Sequence, residues 1–254
     1  MNVIVNGLMT NYQKVGAGPK VLVCLPGWGD SLASFSKLAD KLQRHYTVLS
    51  VDLPGFGGTQ TPPQAWNLED YVNFVAAWLD KLKVTKPYAF VGHSNGGAIA
   101  IMGLGRGLLK TDKLVLVASA GVRNQRPVSL WLLKVLAKIG KVSLFLLPPS
   151  FRRKIRQKLY KTLGSDMLLV PHMELTYKKI INQDVQAIAS KIQVPTLLLY
   201  GTEDRDTPLS YGQLLNKAIP DSILGIVDSG GHFLHQEQPA KVARLIMDFL
   251  KKTG

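Results

Sequence analysis

A serine with glycine two residues before it and two after it, set between a strand and a helix, is a candidate nucleophile. Gly92-His93-Ser94-Asn95-Gly96-Gly97 follows the strand-like run Tyr88 to Val91 and precedes the small-residue helical stretch Ala98 to Met102. A chain that turns this sharply crowds its own backbone. Glycine relieves the crowding and leaves the Ser94 hydroxyl exposed at the helix N-terminus.

A serine hydroxyl is a poor nucleophile at neutral pH and needs a base, itself oriented by a carboxylate. The later chain supplies both types at strand ends. Gly201-Thr202-Glu203-Asp204-Arg205-Asp206-Thr207-Pro208 follows one strand, and Gly230-Gly231-His232-Phe233-Leu234-His235 follows another. His232, behind two glycines in a loop, is read as general base and Asp204 as its orienting acid. Glu203 and Asp206 stand beside Asp204 as alternatives that a solvated loop would also contain. His235 reads as a supporting or surface residue, and His93 as a packing or hydrogen-bonding one. Attack on a carbonyl also needs donors for the oxyanion. The backbone N–H of Asn95, just past the serine, and that of Trp28, in Pro26-Gly27-Trp28-Gly29-Asp30, are the expected pair.

The elements that must position these groups alternate between strand and helix, as in a parallel sheet covered on both faces. Asn6-Gly7 marks an opening hairpin. Lys20 to Leu25 reads as a buried strand, and Ser31 to Arg44 as a helix with Ser31 placed to cap it. Tyr46 to Val51 is a strand that ends in the loop Asp52-Leu53-Pro54-Gly55-Phe56-Gly57-Gly58, and Leu68 to Leu82 is an amphipathic helix. After the serine helix come strands at Lys113 to Ala118, Pro195 to Tyr200 and Ile223 to Val227. Helices are expected at Leu209 to Ala218 and Pro239 to Lys251.

A chain of 254 residues, 46% hydrophobic, is enough for one sizeable core. The division expected is a core of residues 1–121 and 185–254 with an inserted, mainly helical cap at 122–184. The formal charge is +14, and residues 122–181 hold 13 of the 31 Lys and Arg against two acids. The one cysteine, Cys24, lies in an apolar run and reads as a buried strand thiol. No secretory signal opens the chain, and Lys134, Lys138 and Lys141 interrupt the longest apolar stretch, so a cytoplasmic location is expected. The spacing of His, Cys and carboxylates suggests no metal site, and no cofactor is required.

Together these segments resemble the α/β-hydrolase superfamily over the whole chain apart from the cap. The resemblance is carried by Pro26-Gly27-Trp28-Gly29, Asp52 to Gly57, Gly92 to Gly97, Gly201 to Pro208, and Gly231-His232 through Glu237 and Pro239. It implies the α/β-hydrolase fold, Ser94 as nucleophile, Asp204 as acid, His232 as base, and the amides of Trp28 and Asn95 as the oxyanion hole. Pro26 departs from the histidine that many relatives carry before the oxyanion glycine. Dehalogenases and epoxide hydrolases of this superfamily use an aspartate nucleophile, which Ser94 argues against. Carbon–carbon hydrolases of ring-cleavage pathways resemble the core equally well, but their serine motif often has Asn at the place of His93. A carboxylesterase acting on a small-molecule or acyl ester is the expectation; a carbon–carbon hydrolase or a non-catalytic ligand receptor is the alternative.

The basic cap admits three readings. Its lysines are solvated while its apolar side roofs an acyl pocket, or it binds an anionic membrane surface, or it docks an acidic acyl-carrier protein, as a resemblance of the Trp28 and Asp52 loops to biotin-pathway methyl ester esterases implies. Specific nucleic-acid binding is not expected, since no recognised module appears and aromatic residues are not interleaved with the basic cluster in the manner of stacking platforms.

Overall fold

The computed structural model describes residues 1–122 and 170–252. Most of the expected cap, including Trp131, the lysines at 134, 138 and 141 and the cluster at 152–161, lies outside the described residues.

Eight strands form one sheet in the order β1-β2-β4-β3-β5-β6-β7-β8. β1 (Asn2–Val5) and β2 (Leu8–Val15) are the hairpin expected at Asn6-Gly7: Val5 pairs with Leu8, and both turn residues have positive φ, 48° and 81°. That is the left-handed turn that matches strand twist. β2 pairs antiparallel with β4 (Thr47–Val51), and from there the sheet is parallel through β3 (Val21–Leu25), β5 (Ala89–His93), β6 (Lys113–Val117), β7 (Thr196–Gly201) and β8 (Ser222–Val227).

The parallel strands are continuous apolar runs because both of their faces are buried. Val23, Leu25, Phe90, Leu114, Leu116, Leu198 and Tyr200 face one core, under α2 (Leu68–Lys81) and α3 (Asn95–Gly105). The alternate residues Leu22, Cys24, Val91, Val115, Val117, Leu197 and Leu199 face the other, under α1 (Ser36–Leu42) and the C-terminal helix Pro239–Lys251. Cys24 is fully buried, and burial pushes its thiol up to about 12. Among the described residues no helix is long and apolar enough to cross a membrane.

The helix expected from Ser31 begins differently from its expectation. It forms as a 3-10 turn, Leu32–Phe35, followed by α1, and Ser31 stands at the N-cap without a side-chain cap bond. The Leu32 N–H instead donates to Asp52 Oδ1, 2.6 Å away, at the end of β4. A carboxylate is the stronger acceptor, and here it comes from a different strand. The Oδ2 of the same carboxylate accepts from Asn11 Nδ2 and the Gly58 N–H, each at 2.7 Å. A Cβ at Gly57 would stand 2.3 Å from the Asp52 carboxyl carbon, so the loop closes on this side chain only as glycine. Asp52 is buried and ties together β2, the 52–58 loop and the start of the 3-10 turn that follows the Trp28 loop.

Asp52→Asn keeps the shape but puts an NH2 group where at least one N–H donor already points. Stability is expected to fall by about 1–3 kcal/mol, read from urea denaturation. Unchanged stability would mean that the loop does not lean on this carboxylate.

Candidate active site

The sharp corner read from the sequence is present. Ser94 joins β5 to α3 with φ 48° and ψ −116°, a conformation that L residues rarely adopt and that costs about 1–3 kcal/mol. The surroundings hold it there. The Ser94 N–H donates to the Val117 carbonyl (3.1 Å) at the end of β6, and the Ser94 carbonyl accepts from Gly97, Ala98 and Ala120. A Cβ on Gly96 would lie 2.0 Å from the Leu25 carbonyl oxygen, and one on Gly97 would lie 2.3 Å from Ser119 Oγ. Only a helix without side chains on this face can pack so close to β3 and the loop after β6. His93 and Asn95 are buried, whereas Ser94 between them is half-buried.

The acid loop follows β7, beside β6 in the sheet. Asp204 is buried while Glu203 and Asp206 are exposed, which separates it from its neighbours. Its Oδ1 accepts the N–H groups of Asp206 (2.8 Å) and Thr207 (2.9 Å), and its Oδ2 accepts from His232 Nδ1 at 2.9 Å. Burial alone would push the Asp204 carboxyl up. The hydrogen bond and charge of His232 and the bonds from Thr207 outweigh it, so the pKa lies below the usual 3.8. A carboxylate facing Nδ1 holds the imidazole proton there and leaves the Nε2 lone pair as the basic one. Thr207, which the sequence reading passed over, lies with its hydroxyl 2.8 Å from Asp204 Oδ2, 2.9 Å from the Ala118 carbonyl and 3.1 Å from His232 Nδ1. Its legible sign was its place three residues after the aspartate, where the Asp side chain can cap the turn.

His93 takes the hydrogen-bonding role expected of it. Its Nε2 lies 3.0 Å from the His232 carbonyl oxygen, so this nitrogen carries the proton and donates it. Burial, with the nearby His235 and His232, holds the pKa of His93 well below 6.5. His235 is fully buried rather than at the surface, its ring tilted against His93 at 4.4 Å and Phe35 at 4.9 Å, and burial lowers its pKa to about 3.

The expected oxyanion donors come from two sides. Asn95 is the first residue of α3, where no intrahelical acceptor exists for its N–H. Trp28 lies in a turn in which the Asp30 N–H reaches the Gly27 carbonyl and Gly29 has φ 70°. A Cβ on Gly27 would stand 3.2 Å from Ser94 Cβ, so this loop runs against the serine. The Trp28 ring packs edge-on to Phe56 at 4.8 Å and against Tyr177 at 5.1 Å, the latter from the helix Glu174–Ile180. Met173, just before that helix, fills the space above Gly55. The Tyr177 and Met173 contacts were not legible in the sequence, because they join segments more than a hundred residues apart.

A model described as the alpha/beta hydrolase family matches residues 22–245. The chain is 31% identical to a 2-hydroxy-6-oxo-2,4-heptadienoate hydrolase of Pseudomonas putida, over 98% of this chain and 95% of that one. It is 29% identical to a pimeloyl-[acyl-carrier protein] methyl ester esterase of Chromobacterium violaceum, over 89% and 92% of the two chains. Among solved structures, the enol-lactonase from Burkholderia xenovorans LB400 superposes with a TM-score of 0.77 at 20% identity, covering 99% of this chain and all of that one. That likeness concerns the fold.

Because the Asp204 carboxyl is held below its ordinary pKa, its ionised form favours the folded state. That contribution is complete at neutral pH and is lost as pH falls below the ordinary 3.8 and through the lowered value. Across that acid range the wild type is expected to lose more stability than Asp204→Asn, measured as urea midpoints at stepped pH. Parallel curves would show that the carboxylate is not held by His232 and Thr207.

Proposed function

The chain belongs to the alpha/beta hydrolase family, and on that premise we propose that it is a serine hydrolase of carboxylic esters working through an acyl-enzyme. The observation that carries the reading is the buried Asp204 carboxylate bonded to His232 Nδ1 on the same sheet edge as the strained Ser94 corner.

In this mechanism His232 Nε2 takes the Ser94 proton as the hydroxyl oxygen attacks the ester carbonyl. Asp204 holds the imidazole in the required tautomer and stabilises the imidazolium. The N–H groups of Trp28 and Asn95 take the negative charge that builds on the carbonyl oxygen; the loss of one such donor typically costs about 10²–10³ in rate. The imidazolium then gives its proton to the leaving alcohol. Water, activated by the same histidine, releases the acid and restores the serine. Thr207 and His93 are positioning residues: one holds the acid and base together, the other holds the main chain of His232.

An apolar acyl group suits the cluster of Trp28, Phe56 and Tyr177 at the loop that runs against Ser94. Carrier-bound or lipid acyl esters fit this description, and an esterase of a carrier-bound methyl ester is among the relatives. A second reading, hydrolysis of a carbon–carbon bond in a ring-fission product, is favoured by the 31% identity to the Pseudomonas putida hydrolase.

Aryl esters of increasing acyl length are expected to be turned over, with Ser94→Ala slower by roughly 10⁴–10⁶-fold. A fluorophosphonate probe is expected to label wild type and not Ser94→Ala. A faster turnover of a 2-hydroxy-6-oxo-dienoate than of any ester would favour the second reading. Equal residual rates in wild type and Ser94→Ala would remove both.

A further inference from the structure

The fold brings together three residues whose separation in the sequence gave no sign of a cluster. Asp30 comes from the Trp28 loop, His93 from the end of β5 and His235 from the helix Leu234–Glu237. One ligand-type atom from each lies within 4.8 Å of the others, and His93 Nδ1 stands 4.0 Å from Asp30 Oδ2.

The atoms that face one another are the ones left without partners. Among the described residues, His93 Nδ1, both ring nitrogens of His235 and Asp30 Oδ2 are buried and make no hydrogen bond. His93 is 1% exposed and His235 fully buried, so water does not satisfy them from outside. Unpaired buried polar atoms are costly, and three such groups converging on one point suit a shared partner. The other bonds of these residues are already directed outward from the cluster. His93 Nε2 donates to the His232 carbonyl, which leaves the Nδ1 lone pair free, and Asp30 Oδ1 accepts the Ser31 N–H at 2.8 Å. A histidine whose second nitrogen donates to a backbone carbonyl is the arrangement that fixes a metal-ligating imidazole.

We propose that Asp30, His93 and His235 form a binding site for one divalent transition-metal ion of the zinc class, distinct from the Ser94, Asp204 and His232 machinery. Two imidazoles and a carboxylate suit such an ion, with water in the fourth position. The ligand atoms need to close by about an ångström to reach bonding distances of about 2.0–2.2 Å. Asp30, whose side chain is 20% exposed, is the residue through which an ion reaches the two buried rings. An ion seated there is tied to the residue before Ser94 and, through His93, to the main chain of His232.

The test is calorimetric titration of the chelator-treated full chain with Zn²⁺ at neutral pH, with metal content of the dialysed protein measured by mass spectrometry. Neither readout depends on ester turnover. One saturable ion per chain is expected. Asp30→Asn is nearly isosteric and keeps Oδ1 for the Ser31 N–H; it is expected to fold as the wild type by circular dichroism and to bind about tenfold or more weakly. His235→Gln is expected to abolish the binding. Asp206→Asn breaks the other carboxylate and imidazole grouping, Asp204, Asp206 and His232, and is expected to leave the titration unchanged. No saturable binding by the wild type, an unaltered titration in Asp30→Asn, or loss in Asp206→Asn alone would each overturn the site. In those cases the cluster is a hydrogen-bonded one served by water.

Discussion

The close approach of the first turn of α3 to β3 is the constraint from which the rest of the structure follows. Gly96 sits where any side chain would run into the Leu25 carbonyl, and Gly97 sits where one would meet Ser119. With the helix pressed that near the sheet, the connecting residue has no relaxed conformation available, and Ser94 takes φ 48°. The strain is sustained by hydrogen bonds on both sides of its peptide units, from the end of β6 and the loop beyond it. The same approach aims the helix N-terminus, with its unsatisfied N–H groups and partial positive charge, at the space beside the serine hydroxyl. In the proposed mechanism, nucleophile placement and anion stabilisation therefore have one cause.

The proposed mechanism's second requirement is a base held in place. His232 is bound on both sides: Asp204 holds Nδ1, and His93 holds the carbonyl of its main chain. Asp204 in turn keeps its charge despite burial because His232 and the N–H and hydroxyl of Thr207 lie against it. In a site of low dielectric an ionised carboxylate with several donors costs less than a bare one. His93 and His235 show the opposite outcome. They lie deeper, and burial holds them neutral. Imidazoles a few ångströms apart thus differ in chemistry through burial and partners, not through residue type.

Much of this was legible because the relevant signals are local. The hairpin at Asn6-Gly7, the apolar strand runs, the glycines around Ser94 and the chain order of serine, acid and histidine each occupy a few consecutive residues. Fold class and the neighbourhood of Asp204 and His232 follow from them. What was hidden is what tertiary contact decides. Ser31 has the residue type of a cap, yet the carboxylate of Asp52 does the capping from another strand. Asn67 and Asp70 form a full capping box at the start of α2, a signal that was local and went unread. His235 lacked any local mark of burial, because its neighbours Phe35 and His93 are remote in the chain.

The comparisons sharpen the distinction between machinery and substrate. An esterase and a carbon–carbon hydrolase stand at nearly equal identity to this chain, over nearly all of it. A serine, a histidine and an acid on one sheet edge serve both, since each reaction passes through an oxyanion held by main-chain donors. Choice between them rests on what fixes the scissile bond over Ser94 and what protonates the leaving group. For an ester the leaving oxygen needs only the proton that His232 already carries. Among the described residues the Trp28 ring packs on Phe56 and Tyr177, and Met173 lies over Gly55. On the proposed reading, ester hydrolysis needs no proton donor beyond His232, and an apolar cluster beside the Trp28 loop suits an acyl chain.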